Sequence, residues 1–321
     1  CDTVVTLVDE GLSLSASAVN ALRRDALAAL TAARTAPPKR RELPVPPLPE
    51  ADCTAEAPRL TISVTRLEQL SPALLELGCP ARVYIPLEEV SRLESLPGEG
   101  PEWCAVLPRV WRDRDEPALR TLLERARALG FTGVLIGNLG HLPLVRGLNF
   151  HLYGDYGLNV FNSRSLAYLK DKELESACVS FELRFAQIRD LRAEAIVYGR
   201  LPLMITENCL VQNETGCRLD RQGPCVPEDG PCRCGQPNVL VERTGAAFPL
   251  LPAYGHRTEI QNSKPLYLAD RPEHRRLGLA YARLRFTTET AEECVSVVQN
   301  YLDAAPAAGD FTRGLYERGV E

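Results

Sequence analysis

From residue 58 onward, short apolar strand candidates alternate with amphipathic helix candidates, and the alternation recurs eight times over about 245 residues. Strands are expected at 60–64, 82–86, 103–108, 133–138, 149–153, 178–182, 194–199 and 282–286. Over residues 116–129, Leu119, Leu122, Leu123, Ala126 and Leu129 share one helical face, Pro117 lies near the start and Gly130 follows the end. Thr290 and Glu293 have the spacing of a capping box and predict a last helix that buries Cys294, Val297, Val298 and Tyr301. Count and length together match an α/β fold of the closed (β/α)8, TIM-like type. The alternative, an open doubly wound sheet, lacks its Gly-x-Gly-x-x-Gly turn.

Around that repeat the chain divides at its prolines. Residues 2–8 read as a strand and Ser17 as the cap of a helix whose Leu22, Ala26, Ala29, Leu30 and Ala33 form an apolar face, so residues 1–35 read as the end of a preceding domain. Residues 36–57 hold Pro37, Pro38, Pro44, Pro46, Pro47 and Pro49 beside Lys39, Arg40 and Arg41, and neither helix nor sheet runs through such a segment. A solvated linker is the plain reading. The barrel is expected over 58–304, and 305–321 is a tail without periodicity. Because the chain opens at Cys1 in mid-pattern, it is expected to be part of something longer, with an upstream domain as partner.

With 45% apolar and 25% charged residues the composition is that of an ordinary globular protein. A net charge of -5 argues against a broad nucleic-acid-binding face, though not against a local basic patch. No apolar run approaches the roughly 18 residues that a membrane helix needs, and no leader pattern opens the chain. A cytoplasmic location without membrane contact is expected.

Eleven cysteines cannot all pair, and five of them crowd together as Cys209-x7-Cys217-x7-Cys225-x6-Cys232-x-Cys234, with His256 beyond. This cluster falls in an insertion after the seventh strand, followed by the turn-rich Phe248-Pro-Leu-Leu-Pro-Ala-Tyr-Gly-His256. In a reducing compartment it reads as a metal site. No Cys-x-x-Cys knuckle is present, which disfavours a zinc ribbon; wide spacings of soft ligands are compatible with an iron–sulfur cluster held by Cys209, Cys217, one of Cys232 and Cys234, and His256. A structural zinc clip on a non-catalytic barrel is the alternative.

Strand ends of a barrel point into one mouth. There the sequence places Asn138, His141, Asp155, Asn159, Asn162, Glu182, Arg200, Glu207, Arg285 and Glu289. Such a set suits a polar or anionic substrate, and its plain alternative is that Glu182 and Arg200 simply pair with each other. Neither Gly-x-Ser-x-Gly nor His-Glu-x-x-His occurs.

Three runs in this region, Asp155-Tyr-Gly-Leu-Asn-Val-Phe-Asn-Ser163, Ser180-Phe-Glu-Leu183 and Val197-Tyr-Gly-Arg-Leu-Pro-Leu-Met204 with Thr206-Glu-Asn-Cys209, resemble the signature of the U32 peptidases, the collagenase-like protease family. Glu259-Ile-Gln-Asn-Ser263, Pro265-Leu-Tyr-Leu268 and Arg283-Leu-Arg-Phe-Thr-Thr-Glu289 extend the likeness over roughly residues 58–302. Residues 20–25 are similar to the end of the accessory domain of long members, and Phe311-Thr-Arg-Gly-Leu-Tyr-Glu-Arg-Gly-Val320 resembles their tail. The family name implies endopeptidase activity. Long members similar to this chain imply instead an oxygen-independent hydroxylation of a base in ribosomal or transfer RNA, with a small dicarboxylate as oxygen donor. Shorter relatives that carry out oxygen-independent hydroxylation in ubiquinone synthesis do so on a four-cysteine [4Fe-4S] cluster; Cys209 and Cys217 match its first two positions and Cys232 or Cys234 the third, while His256 stands at the fourth, where the resemblance implies a three-cysteine, one-histidine site. Under this reading Arg200 and Arg285 hold an anion, and Glu182 or Asp155 handles protons. Under the peptidase reading the available pair is Cys209 with His256 as its base.

Overall fold

The computed structural model describes residues 5, 7, 9–45, 47, 56–78, 80–215 and 237–320. It divides into two compact units, Cys1–Pro47 and Leu48–Glu321. In the first, a helix spans Ala16–Thr35 and none of its residues is buried. Its cap is Ser15, whose hydroxyl accepts the Ala18 N–H at 3.2 Å, rather than Ser17, which lies one residue inside the helix. The strand expected over 2–8 falls mostly outside the described residues.

The second unit is built on a curled nine-stranded sheet that is mostly parallel. In chain order its first six strands are β1 (Arg59–Ser63), β2 (Arg82–Pro86), β3 (Glu102–Val106), β4 (Gly133–Ile136), β5 (His151–Gly154) and β6 (Leu174–Ala177). Strand β7 (Glu194–Gly199) follows. Then comes an excursion of four antiparallel strands, β8 (Pro202–Thr206), β9 (Asn238–Val241), β10 (Ala247–Ala253) and β11 (Arg257–Gln261), paired in the order β8-β11-β10-β9. Strands β12 (Leu266–Tyr267) and β13 (Tyr281–Arg285) return the chain to the large sheet, where β13 lies parallel between β7 and β1. At the other end, Cys178 forms a parallel bridge with Glu194, and the Val179 N–H donates to the Glu194 carbonyl at 2.8 Å. Eight parallel strands in sequence order with their two ends in contact are compatible with a TIM-like barrel.

Alternate residues of each strand face opposite ways. Ile62, Val83, Ile85, Ala105, Val134, Ile136 and Ala282 join the large apolar core with Leu119, Leu123 and Ala126 of the helix Glu116–Leu129. Tyr84, Cys104, Leu135 and Tyr153 form a second cluster on the other face, and the buried polar residues Thr61, Glu194 and Arg283 are bonded to Tyr84 or to one another there. The helix Glu116–Leu129 ends as expected at Gly130, whose φ of 100° suits glycine. Thr290 caps the helix Ala291–Asp303 through its hydroxyl, and Glu293 returns a bond to the Thr290 N–H.

Two expectations shift. The sixth strand is Leu174–Ala177 rather than 178–182, because pairing with β5 places Ser176 opposite Tyr153; the apolar residues that follow contribute only single bridges. The turn-rich stretch after the cysteines is mostly strand β10, which pairs on both sides despite Pro249 and Pro252. The cysteine segment itself, including Cys217, Cys225, Cys232 and Cys234, lies outside the described residues.

Candidate functional site

At the C-terminal ends of the parallel strands, side chains from four places converge. Asp155 directly follows β5 and Arg285 ends β13; Arg109 lies beyond β3, and Glu259 comes from β11 of the small sheet. Arg285 donates to the Glu259 carboxylate at 3.0 Å, and Arg109 reaches its other oxygen at 2.9 Å. Gln261, fully buried, ties the pair together: its amide donates to Glu259 at 2.8 Å and its oxygen accepts from Arg285 at 2.8 Å. The Tyr156 ring lies 5.4 Å from the Arg109 guanidinium and 5.9 Å from that of Arg285, and its hydroxyl accepts from Arg109 at 3.3 Å. Burial and the neighbouring Glu259 carboxylate push the Tyr156 phenol well above its ordinary value.

Below this layer, Arg283 is 1% exposed and donates to Asp155 at 2.5 Å and to Glu194. Thr61 and Tyr84 also donate to Glu194, at 2.5 and 3.1 Å. Burial alone would raise the Glu194 carboxyl, but Arg283, with Thr61 and Arg82, outweighs it and holds the group below the ordinary carboxylate range. Backbone closeness sets the position of Arg285: Gly199 ends β7 with φ 119°, and a Cβ there would stand 2.0 Å from the Arg285 carbonyl oxygen.

The structure thus brings Asp155 and Arg285 to the mouth and adds Arg109, Tyr156, Glu259 and Gln261. Arg109 was legible as the charged residue just past a strand; Glu259 stands in a run quoted above for its resemblance, yet nothing local marks it as reaching the mouth. Arg200 spends its guanidinium on the carbonyls of Asn262 and Ser263, and its own carbonyl accepts from Arg285 at 2.7 Å. Glu182 is exposed, its N–H donating to the Ser180 hydroxyl at 3.4 Å.

Several expected mouth residues serve the scaffold. His141 is fully buried between the Gly137 N–H and the Pro108 carbonyl, and burial drives its pKa down to about 4. Asn138 binds the Arg109 carbonyl, Asn162 caps a helix, and Asn159 takes a left-handed conformation with φ 57°. Glu207 joins Arg257 and Arg112, and Glu289 accepts from the Thr287 N–H and the Tyr198 hydroxyl. One carboxyl without a sequence signal is Glu88, just past β2: burial pushes it up to about 7, within the range of a general acid or base.

Of the expected metal ligands, two are described. Cys209 is nearly buried and its sulfur accepts the Gln212 N–H at 3.4 Å. His256 occupies the three-residue turn between β10 and β11 with φ 58°, and its Nε2 is buried without a hydrogen-bond partner. An unpartnered buried imidazole nitrogen fits a ligand role. Cys217, Cys232 and Cys234 lie outside the described residues. The other described cysteines, Cys104, Cys178 and Cys294, are buried, and burial raises all three thiols, Cys294 to about 12. Among the described residues no helix is long and apolar enough to cross a membrane.

Residues 96–243 match the model of peptidase family U32. Among solved structures, the U32 peptidase Mk0906 is similar at 10% identity, covering 75% of this chain and 98% of its own, with a TM-score of 0.39. The spore cortex-lytic enzyme SleL of Bacillus megaterium QM B1551 shares 10% identity over 84% of this chain and 78% of its own, at a TM-score of 0.34. The chitinase ChiW of Paenibacillus sp. str. FPU-7 shares 8% over 77% and 33%, also at 0.34. No curated protein matches the chain significantly. The family match spans the three signature runs that begin at Asp155, Ser180 and Val197, so over residues 96–243 this chain is similar to peptidase family U32.

Proposed function

We propose that the mouth formed by Asp155, Tyr156, Arg109, Arg285 and Glu259 is the working face of an enzyme that hydroxylates a base in ribosomal or transfer RNA without molecular oxygen. The observation that supports this over covalent proteolysis is that three of the four described thiols are sealed in the core and no described nucleophile is paired with an imidazole base. The thiols of Cys104, Cys178 and Cys294 are buried and held protonated, and His141 is spent on the backbone. Among the described residues no thiol or hydroxyl is hydrogen-bonded to an imidazole. What the mouth offers instead is guanidinium groups for an anion such as a small dicarboxylate oxygen donor, and carboxyl groups for proton transfer.

A [4Fe-4S] cluster, or zinc in its place, would be held by Cys209, Cys217, Cys232 or Cys234, and His256, and would supply redox or Lewis-acid chemistry. Within the described chain, Arg285 orients the anion, Asp155 is fixed by Arg283 for proton handling, and Tyr156 walls the mouth against water. Arg200 acts through its carbonyl, which positions Arg285, and Glu182, exposed after β6, would serve as a second proton-handling group. A base must leave its stack to enter such a mouth.

Endopeptidase activity is the second reading, favoured by the match of residues 96–243 to the model of peptidase family U32. One experiment separates them: nucleosides of ribosomal and transfer RNA from cells lacking the gene are compared by mass spectrometry with the parent, and the anaerobically purified chain is incubated with gelatin. Loss of one oxygen atom from one nucleoside, with intact gelatin, is expected. Unchanged nucleosides with cleaved gelatin would overturn the hydroxylation reading.

A further inference from the structure

We infer that Arg109 and Arg285 form a binding subsite for a carboxylate or phosphate group, and that Glu259 is its built-in occupant, displaced when the ligand enters. The inference rests on the reading of this mouth as the working face but not on the reaction carried out there.

The contact set is that of an anion site. One carboxylate is held by two guanidinium groups at 2.9 and 3.0 Å and by an amide at 2.8 Å, beside the face of an aromatic ring. Guanidinium forks and an amide donor recognise planar carboxylates and phosphoryl oxygens alike. The two arginines come from the large sheet, beyond β3 and at the end of β13, whereas the carboxylate comes from β11 of the excursion. The two guanidinium groups and the occupant therefore belong to different elements, with only the Gln261 amide sharing β11 with Glu259, and the Glu259 side chain leaves without any barrel strand changing its register.

Solvent reaches the site from one side. The Arg109 side chain is 27% exposed, against 9% for Arg285 and 14% for Glu259. Arg285 keeps two further acceptors when Glu259 withdraws, the Gln261 oxygen and the Arg200 carbonyl, so it remains aimed. Glu259 thus sets specificity: only a ligand whose anionic group outcompetes an intramolecular carboxylate gains the subsite, and neutral analogues are refused.

The test uses the full chain and two probes, inorganic phosphate and malonate, read by calorimetric titration and by the rise in melting temperature. Removing an internal competitor that fills the site nine-tenths of the time tightens apparent affinity about tenfold. Glu259→Gln keeps the side-chain size and is expected to bind a probe about tenfold more tightly than the parent, and adding Arg109→Met is expected to abolish the gain. Response to phosphate alone assigns a phosphoryl group, and response to malonate alone a small carboxylate. A second arm needs no change at Glu259: millimolar probe raises the melting temperature of the parent chain, and Arg109→Met loses that rise. If neither probe binds the parent or Glu259→Gln, or if binding survives Arg109→Met, the subsite is refuted. Neither arm uses RNA or turnover, so probe binding without a changed nucleoside would sink the hydroxylation reading and leave the subsite standing.

Discussion

Arg283 bridges two carboxylates, Asp155 at the mouth and Glu194 in the buried interior. Removing its charge leaves Glu194 buried against Thr61 and Tyr84 with only the more distant Arg82 to balance it. Breaking such a pair costs about 3–5 kcal/mol. In the parent protein the depressed Glu194 pKa contributes stability that is present above its ordinary value of 4.5 and is lost as pH falls through the folded value. For Arg283→Met we expect the opposite sign: burial then raises Glu194, so the variant gains stability as pH falls from neutral toward 4.5. Urea midpoints across that range check it, and a variant whose midpoint stays level or falls as pH drops toward 4.5 would contradict the assignment. Asp155 and Arg285 were legible in the sequence because each stands at a strand end. Glu259 was not, since its arrival depends on how a separate hairpin folds back, and no local pattern encodes that.

Elements were read well where local chemistry defines them. Pro117 and Gly130 bracket one helix, and Thr290 with Glu293 opens another, because caps satisfy backbone groups that have no partner elsewhere. The sixth strand was misplaced because Leu-Glu-Ser-Ala carries little β propensity and is a strand only through its neighbour β5. Strand β10 was hidden by Pro249 and Pro252, which remove N–H donors and read as breakers. Where β7 meets β13, the fit leaves no room for a side chain at Gly199. Gly199→Ala is expected to destabilise the protein by on the order of 2 kcal/mol or more, through its left-handed φ and the clash with the Arg285 carbonyl. Thermal melting together with malonate titration tests this; an alanine variant with parental melting and unchanged binding would show that the approach is not tight.

At the scale of the molecule, the tail is part of the fold. The Tyr316 hydroxyl donates to the Ile196 carbonyl at 2.7 Å, its ring stacks on Phe185, and Arg313 makes a two-pronged pair with Asp270 at 2.6 and 2.8 Å. A chain ended after residue 280 loses these contacts together with β13, the neighbour shared by β1 and β7. Such a truncation is expected to be insoluble, as judged by sedimentation of the expressed protein, because two strands then expose unpaired edges. A soluble truncated chain with native near-ultraviolet dichroism would show that the sheet does not need its last strand.

The pairing of Arg59 with Tyr281 also has a temporal meaning. During synthesis β2 to β6 each emerge beside a neighbour already made, but β1 must wait, with one edge bare, until β13, more than 200 residues later, has left the ribosome. Protection of that edge in the interval, by a chaperone or by a fast supply of the remaining chain, is therefore a condition for reaching the native state at all.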